Sequence, residues 1–304
     1  QVVKRIKGEK GTEVKLTVLK CEAKDTIIVP VKRDTIQLSE MRVKGKVFNT
    51  EQGPIGLISV QNFYVGVHQD VRDRIRELAR DKALAGVVLD LRFNSGGYLE
   101  EAVGLAGLFI ETGPIVGERD GAGRVRWNPD RDPSIAFEGP LVVLTNQFSA
   151  SASEIVAGAL KDYSRALIVG PTQTFGKGTV QRVIPLDDLN LPGEIKITTH
   201  QYFLAGGESV QLKGVDPDVV IPGAKLIEDD GMLERSTENP VPWSKIRGRV
   251  NSGRPDVKAW TEWRNRNLAA LKTNSSARVE ANPELKSGGD SKKKPRTEPL
   301  DEPP

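Results

Sequence analysis

Two short stretches of this 304-residue sequence carry side chains suited to nucleophilic chemistry. In Gln147-Phe148-Ser149-Ala150-Ser151-Ala152-Ser153-Glu154, serines alternate with small residues just after an apolar run that ends at Thr145. A strand that ends, turns and enters a helix of small residues there would lift a hydroxyl into a cleft. The helix N-terminus would favour negative charge developing beside it. The competing reading makes Ser149, Ser151 and Ser153 simple N-caps, with Glu154 completing a capping box from Ser151. In Phe175-Gly176-Lys177-Gly178-Thr179, Lys177 stands between two glycines as the one functional side chain of a tight turn. A lysine that accepts a proton must first be neutral, and burial in an apolar pocket drives an ammonium in that direction from about 10.4. A third stretch, Leu91-Arg92-Phe93-Asn94-Ser95-Gly96-Gly97, closes a strand with glycines ahead of a helix. The amides of Gly97 and Ala152, converging on one carbonyl oxygen, would form an oxyanion hole, each donor worth on the order of 3 kcal/mol in the transition state. A serine nucleophile, a lysine base and paired amides together perform acyl transfer.

Other chemistries have less support. The two histidines, His68 and His200, fall in a polar helix start and in a strand, so both read as structural. No HExxH or Cys/His cluster is present, which argues against a zinc site, and no cofactor is called for. Cys21, the sole cysteine, has no base nearby and reads as a minor strand residue. The run from Gly170 to Gly176-Lys177 resembles a phosphate-binding loop. It departs from that pattern with five intervening residues instead of four, and with Gly178 where Ser or Thr must hold magnesium. Forty-four Lys+Arg against 41 Asp+Glu give a net charge of only +3, so nucleic acid is not an expected partner. No apolar run approaches the ~18–20 residues of a membrane span.

The elements that must position these residues follow from periodicity. Residues 5–33 read as strands around a glycine turn, and a second strand pair falls near Val43–Val47 and Ile55–Val60. Residues 68–84 have helical spacing at Val71, Ile75 and Leu78. Three nearly continuous apolar runs, at 86–91, 140–145 and 166–170, are strands covered on both faces, separated by helices at about 99–110 and 150–162. That alternation predicts an α/β domain with a parallel or mixed sheet. A polar hairpin-like insertion is expected over 117–137, and further strands near 179–184, 194–203 and 209–212. Residues 257–273 read as a helix whose Trp260 and Trp263 form a docking face. From Asn274 the composition predicts a disordered tail.

The segments DLRFNSGGYLEEAVGLAGLFI, GPLVVLTNQFSASASEIVAGALKDYSRALIVG, TFGKGTVQ and KGVDPDVVIP occur in this order over roughly residues 40–222. Together they closely resemble the carboxyl-terminal processing (tail-specific) peptidases. The resemblance implies that Ser151 attacks, that Lys177 is its base and that Gln181 orients the lysine. It places the oxyanion donors on Gly97 and Ala152. It also links Asp162 to activity, with a structural role as the competing reading. The implied fold is an α/β (α+β) protease core, a mixed sheet flanked by helices, over 35–225, preceded at 1–34 by the C-terminal part of a small β PDZ domain. A helical extension at 226–273 and the tail at 274–304 complete the expected organisation. Because Gln1 opens in what reads as the middle of a domain, further chain upstream is expected.

The function implied is a serine endopeptidase of unfolded or C-terminally tagged proteins, selecting apolar C-termini with PDZ assistance, in the bacterial periplasm or cell envelope. Polypeptide substrates are then the partners, with room for an adaptor protein. Two departures stand out. Gly170–Phe175 is one residue longer than the family pattern, so Ser151 and Lys177 are 26 positions apart. Ser95 also stands where a third glycine is common. The longer loop sustains an alternative, a catalytically inactive peptide-binding module whose dyad is displaced.

Overall fold

The computed structural model describes residues 5–19, 26–34, 43–171, 173–187, 191–221, 233–250 and 258–282, so Cys21 lies outside the described residues. The chain divides into two compact units, 1–41 and 42–304. In the first, β1 (Glu13–Leu19) and β2 (Thr26–Lys32) pair antiparallel, with Glu13 opposite Lys32 and Leu19 opposite Thr26. The Arg33 guanidinium ties the hairpin to the residues before it, donating to the Ile6 and Arg5 carbonyls and to Thr12 Oγ1.

The second unit is built on a six-stranded mixed sheet. Its strands are β3 (Lys44–Thr50), β4 (Gly53–Ser59), β5 (Gly86–Asp90), β8 (Leu141–Leu144), β9 (Leu167–Gly170) and β12 (Val219–Val220), in the spatial order β12-β9-β8-β5-β4-β3. Every neighbouring pair is parallel except β3–β4. Helices α1 (Val67–Leu78), α2 (Leu99–Gly107) and α3 (Ala152–Asp162) pack their apolar sides into the same core, which includes Val71, Leu89, Leu105, Phe109, Val143 and Val156. The continuous apolar runs of β5 and β8 are what a strand covered on both faces requires. A second, antiparallel sheet joins β6 (Gly113–Asp120), β7 (Val125–Asp130), β10 (Thr179–Pro185) and β11 (Glu194–Leu204) in the order β10-β11-β6-β7.

Four sequence expectations are corrected. The hairpin expected over 117–137 is present as β6 and β7, but β6 starts at Gly113 and the pair is part of the second sheet, where β6 also pairs with β11. Residues 209–212 are not a strand; they turn, with the Lys213 and Gly214 amides both donating to the Val210 carbonyl. The first helix stops at Leu78, and residues 80–82 turn instead of continuing it to 84. The last helix, α4 (Lys258–Ala281), runs well past Asn274, so the stretch to Ala281 belongs to it. Polarity alone does not end a helix whose straight-chain and alanine residues favour that state.

Trp260 and Trp263 do stack, with ring centroids 5.1 Å apart, and the Trp260 indole donates to the Arg165 carbonyl at 2.8 Å. Beside them the buried Arg264 pairs with Asp218 at 2.8 Å and donates to the Ala166 carbonyl. Asp218 also takes the Ile168 amide, so α4 is fastened to the start of β9 and the approach to β12. Among the described residues no helix is long and apolar enough to cross a membrane.

Candidate active site

The three stretches singled out by their chemistry follow three adjacent parallel strands. Residues 91–98 leave β5, residues 145–151 leave β8, and residues 171–178 leave β9, and these strands are neighbours in the order β9-β8-β5. Parallel strands deliver all three loops to one edge of the sheet, where α/β folds build their sites. The first two loops are stitched together by buried polar groups. Asn94 donates to the Val60 carbonyl and accepts the Gly96 amide, while its own carbonyl accepts the Ala150 amide and the Ser153 hydroxyl. Asn146 Oδ1 accepts the Phe93 amide at 3.0 Å, and Phe93 stacks on Phe148 at 5.6 Å.

These bonds separate the three serines. Ser149 and Ser153 are fully buried, and their hydroxyls donate at 2.8 Å to the carbonyls of Leu91 and Asn94. Both are structural. Ser151 is only partly buried and lines a cleft of about 210 Å³ shared with Gly97, Ala152, Lys177 and Gln181. Its backbone, at φ 54° and ψ −113°, sits in a region that non-glycine residues rarely adopt, as nucleophiles on tight strand-to-helix turns do. Gly96 makes that approach feasible. It has φ 103°, and a Cβ there would come within 2.8 Å of Ser151 Cβ.

The capping-box reading of Glu154 describes half of what this residue does. Glu154 accepts the Ser151 amide at 2.8 Å, as the motif predicts. The same carboxylate also accepts the Lys177 amide at 3.0 Å, the Gly176 amide at 2.7 Å and the Thr174 hydroxyl at 2.6 Å. Burial pushes its carboxyl up to about 7, against the lowering pull of those four donors. The amides that a phosphate would need at Gly176 and Lys177 are thus held by a carboxylate, which argues against a nucleotide loop. Gly176 takes φ 92° with its carbonyl accepting from Leu212, a conformation that favours glycine. Phe175 donates to the Ser149 carbonyl and Thr174 to that of Val215. The loop is therefore anchored just before Lys177.

Gln181 follows on β10 as an exposed residue lining the cleft. The Gly97 and Ala152 amides have no acceptor among the described residues, and the α3 N-terminus leaves Ala152 unpaired by helix geometry. Asp162 is elsewhere, at the far end of α3, roughly 16 Å of helix from Ser151. There it is half-buried and accepts the Gly206 amide at 2.6 Å, and partial burial raises its carboxyl above the ordinary range. The histidines also lie outside the cleft lining. His68 Nδ1 is 2.6 Å from Glu101, and His200 borders a separate cavity with Arg124, Arg126 and Arg182.

Sequence reasoning missed two polar residues of the cleft. Lys196 arrives on β11 opposite Val183, and Tyr202 arrives further along the same strand. Nothing local marks either one, because the β10–β11 pairing brings them to the site. The Tyr202 hydroxyl donates to the Lys177 carbonyl at 2.5 Å and lies 3.2 Å from the Ser151 carbonyl.

The model for "Peptidase family S41" matches residues 54–221. A tail-specific protease of Haemophilus influenzae is 38% identical over 251 residues, covering 81% of this chain and 35% of the relative. A carboxy-terminal-processing protease of Bartonella bacilliformis is 35% identical over 229 residues, covering 73% of this chain and 50% of the relative. The chain therefore spans half or less of the length of these relatives. Among solved structures, the photosystem II D1 C-terminal processing protease is 30% identical with a TM-score of 0.59, over 70% of this chain and 56% of that one.

Proposed function

The chain belongs to peptidase family S41, and from that premise we propose that it acts as a serine endopeptidase whose nucleophile is Ser151 and whose base is Lys177. Ser151 Oγ attacks the substrate carbonyl carbon while its proton passes to Lys177 Nζ. The amides of Gly97 and Ala152 meet the oxyanion. Collapse breaks the C–N bond, and the amine leaves with the proton from Lys177. Water then gives a proton to Lys177 and attacks the ester. The bond to Ser151 breaks, the serine recovers its proton and the new C-terminus departs. Gln181 orients the lysine, and no metal or cofactor enters these steps.

The observation that carries this reading is the single cleft lined by Gly97, Ser151, Ala152, Lys177 and Gln181. Leu99, Ile155 and Val180 on its walls suit apolar side chains. We assign as substrates unfolded polypeptides with apolar C-termini. In this reading the β1–β2 hairpin belongs to a PDZ domain that takes the tail as an added strand. The two relatives come from bacteria, and the periplasm or cell envelope is the compartment we assign.

The test is mass-spectrometric detection of peptides released from an unfolded protein by the full-length enzyme, Ser151→Ala, Lys177→Ala and Lys196→Ala. Cleavage by the wild type and Lys196→Ala, with none from the other two, is the expected result. Loss in Lys196→Ala with retention in Lys177→Ala would move the base to the second lysine. No release by the wild type at any pH would favour a peptide-binding module.

A further inference from the structure

Ser151 and Lys177 reach the cleft on loops from different strands, joined near them by the Phe175 amide donating to the Ser149 carbonyl. Two buried side chains touch both residues. On the amide side, Glu154 accepts the N–H groups of Ser151 and Lys177 on the same oxygen, Oε2, while Oε1 takes Gly176 and Thr174. On the carbonyl side, the Tyr202 hydroxyl donates to the Lys177 carbonyl at 2.5 Å and lies 3.2 Å from the Ser151 carbonyl, touching both backbones. We propose that Glu154 and Tyr202 form a positioning clamp that fixes the backbones of Ser151 and Lys177 relative to each other, and that catalysis depends on both jaws. The inference rests on the Ser151–Lys177 reading and extends it to two residues that act through the backbones of that pair.

The chemistry of each jaw fits the task. All four partners of Glu154 present a hydrogen, so the ionised carboxylate satisfies them as they stand, whereas a proton on it needs Thr174 to turn from donor to acceptor. Thr174 Oγ1 in turn accepts the Val215 amide at 2.7 Å, which holds the hydroxyl in place beside the carboxylate. Tyr202 is fully buried, and that burial, with the charges of Glu154 and Glu234, holds its hydroxyl well above its ordinary range, so it remains a donor at working pH. The clamp also accounts for the strained Ser151 backbone, since such a conformation persists only where its surroundings over-determine it. The titratable groups around the carboxylate are Tyr202 and, through its backbone, Lys177.

The decisive experiment compares kcat and KM of the full-length enzyme with those of Glu154→Gln and Tyr202→Phe on a peptide substrate, from pH 5.5 to 9. Melting temperature and folded fraction are measured in parallel. A glutamine cannot meet four donors, because its amide nitrogen would face at least one of them. The expected result is a kcat at least tenfold lower for Glu154→Gln and at least threefold lower for Tyr202→Phe, per folded molecule, with KM within about threefold of wild type. A wild-type rise in kcat through about pH 7, where the carboxyl ionises, should be missing from Glu154→Gln. Tyr202→Phe keeps the packed ring and guards against a variant that simply fails to fold. Wild-type kcat in folded Tyr202→Phe, or a Glu154→Gln loss matching only its unfolded fraction, would overturn the clamp. If the wild type itself did not cleave, the dyad reading would fail first.

Discussion

Glu154 faces opposing demands that belong to the single residue. Four donors favour its charged form, but complete burial raises its carboxyl from 4.5 to about 7. A carboxyl whose pKa is higher in the folded than in the unfolded protein stabilises the fold fully below the unfolded value. That contribution is lost as pH rises through the folded one. Here the window runs from about pH 4.5 to 7, and the rise corresponds to roughly 3 kcal/mol. Glu154→Gln cannot titrate, so the stability of the wild type relative to this variant should fall by up to that amount between pH 4 and pH 8. Urea unfolding at several pH values would show it, and a difference that stays flat or grows with pH would contradict it. The site thus requires the charged form that the fold disfavours, a known pattern at functional positions. The S-x-x-E signal made Glu154 legible in the sequence, but only as a local cap. Its reach to Gly176 and Lys177 depends on β8 lying beside β9, which no local pattern encodes. Ser151, similarly, is distinguished from Ser149 and Ser153 by which hydroxyls find buried carbonyls, a tertiary fact.

At the scale of elements, the strands and helices around the site were readable because burial on both faces leaves continuous apolar runs, as in β5 and β8. The errors fell where the signal is tertiary. Residues 209–212 alternate like a strand, yet their alternation serves a turn under β11: Gln211 accepts the Gly178 amide, and Ser209 lies beside the Gln201 side chain. The length of α4 was underestimated because exposed helix has almost no apolar pattern, so the composition of its second half resembled a tail. The first half of α4 is held through Trp260 and the buried Arg264–Asp218 pair. Removing one partner of such a pair strands the other charge, so Arg264→Ala should destabilise the protein by about 3–5 kcal/mol. Replacing both partners together, Arg264→Met with Asp218→Asn, should cost less than Arg264→Ala alone. Denaturant midpoints would decide it, and a single variant within about 0.5 kcal/mol of wild type would mean that α4 is held by other contacts.

At the scale of the molecule, parallel strand order explains how segments far apart in sequence become one site. β9, β8 and β5 lie side by side, so the loops that follow them meet at one sheet edge, and β10–β11 adds Gln181, Lys196 and Tyr202 from the second sheet. The family pattern covers this core, and the chain shares it with the relatives it matches over half or less of their length. The central claim is that Ser151 becomes acylated with Lys177 as its base. The most direct measurement mixes the full-length enzyme with a peptide ester, quenches in acid within the first turnover and maps any added mass by tandem mass spectrometry. An acyl group on Ser151 in the wild type, with none in Lys177→Ala over the same interval, is the predicted result. An adduct on another residue, or equal acylation of Ser151 in Lys177→Ala, would contradict the account.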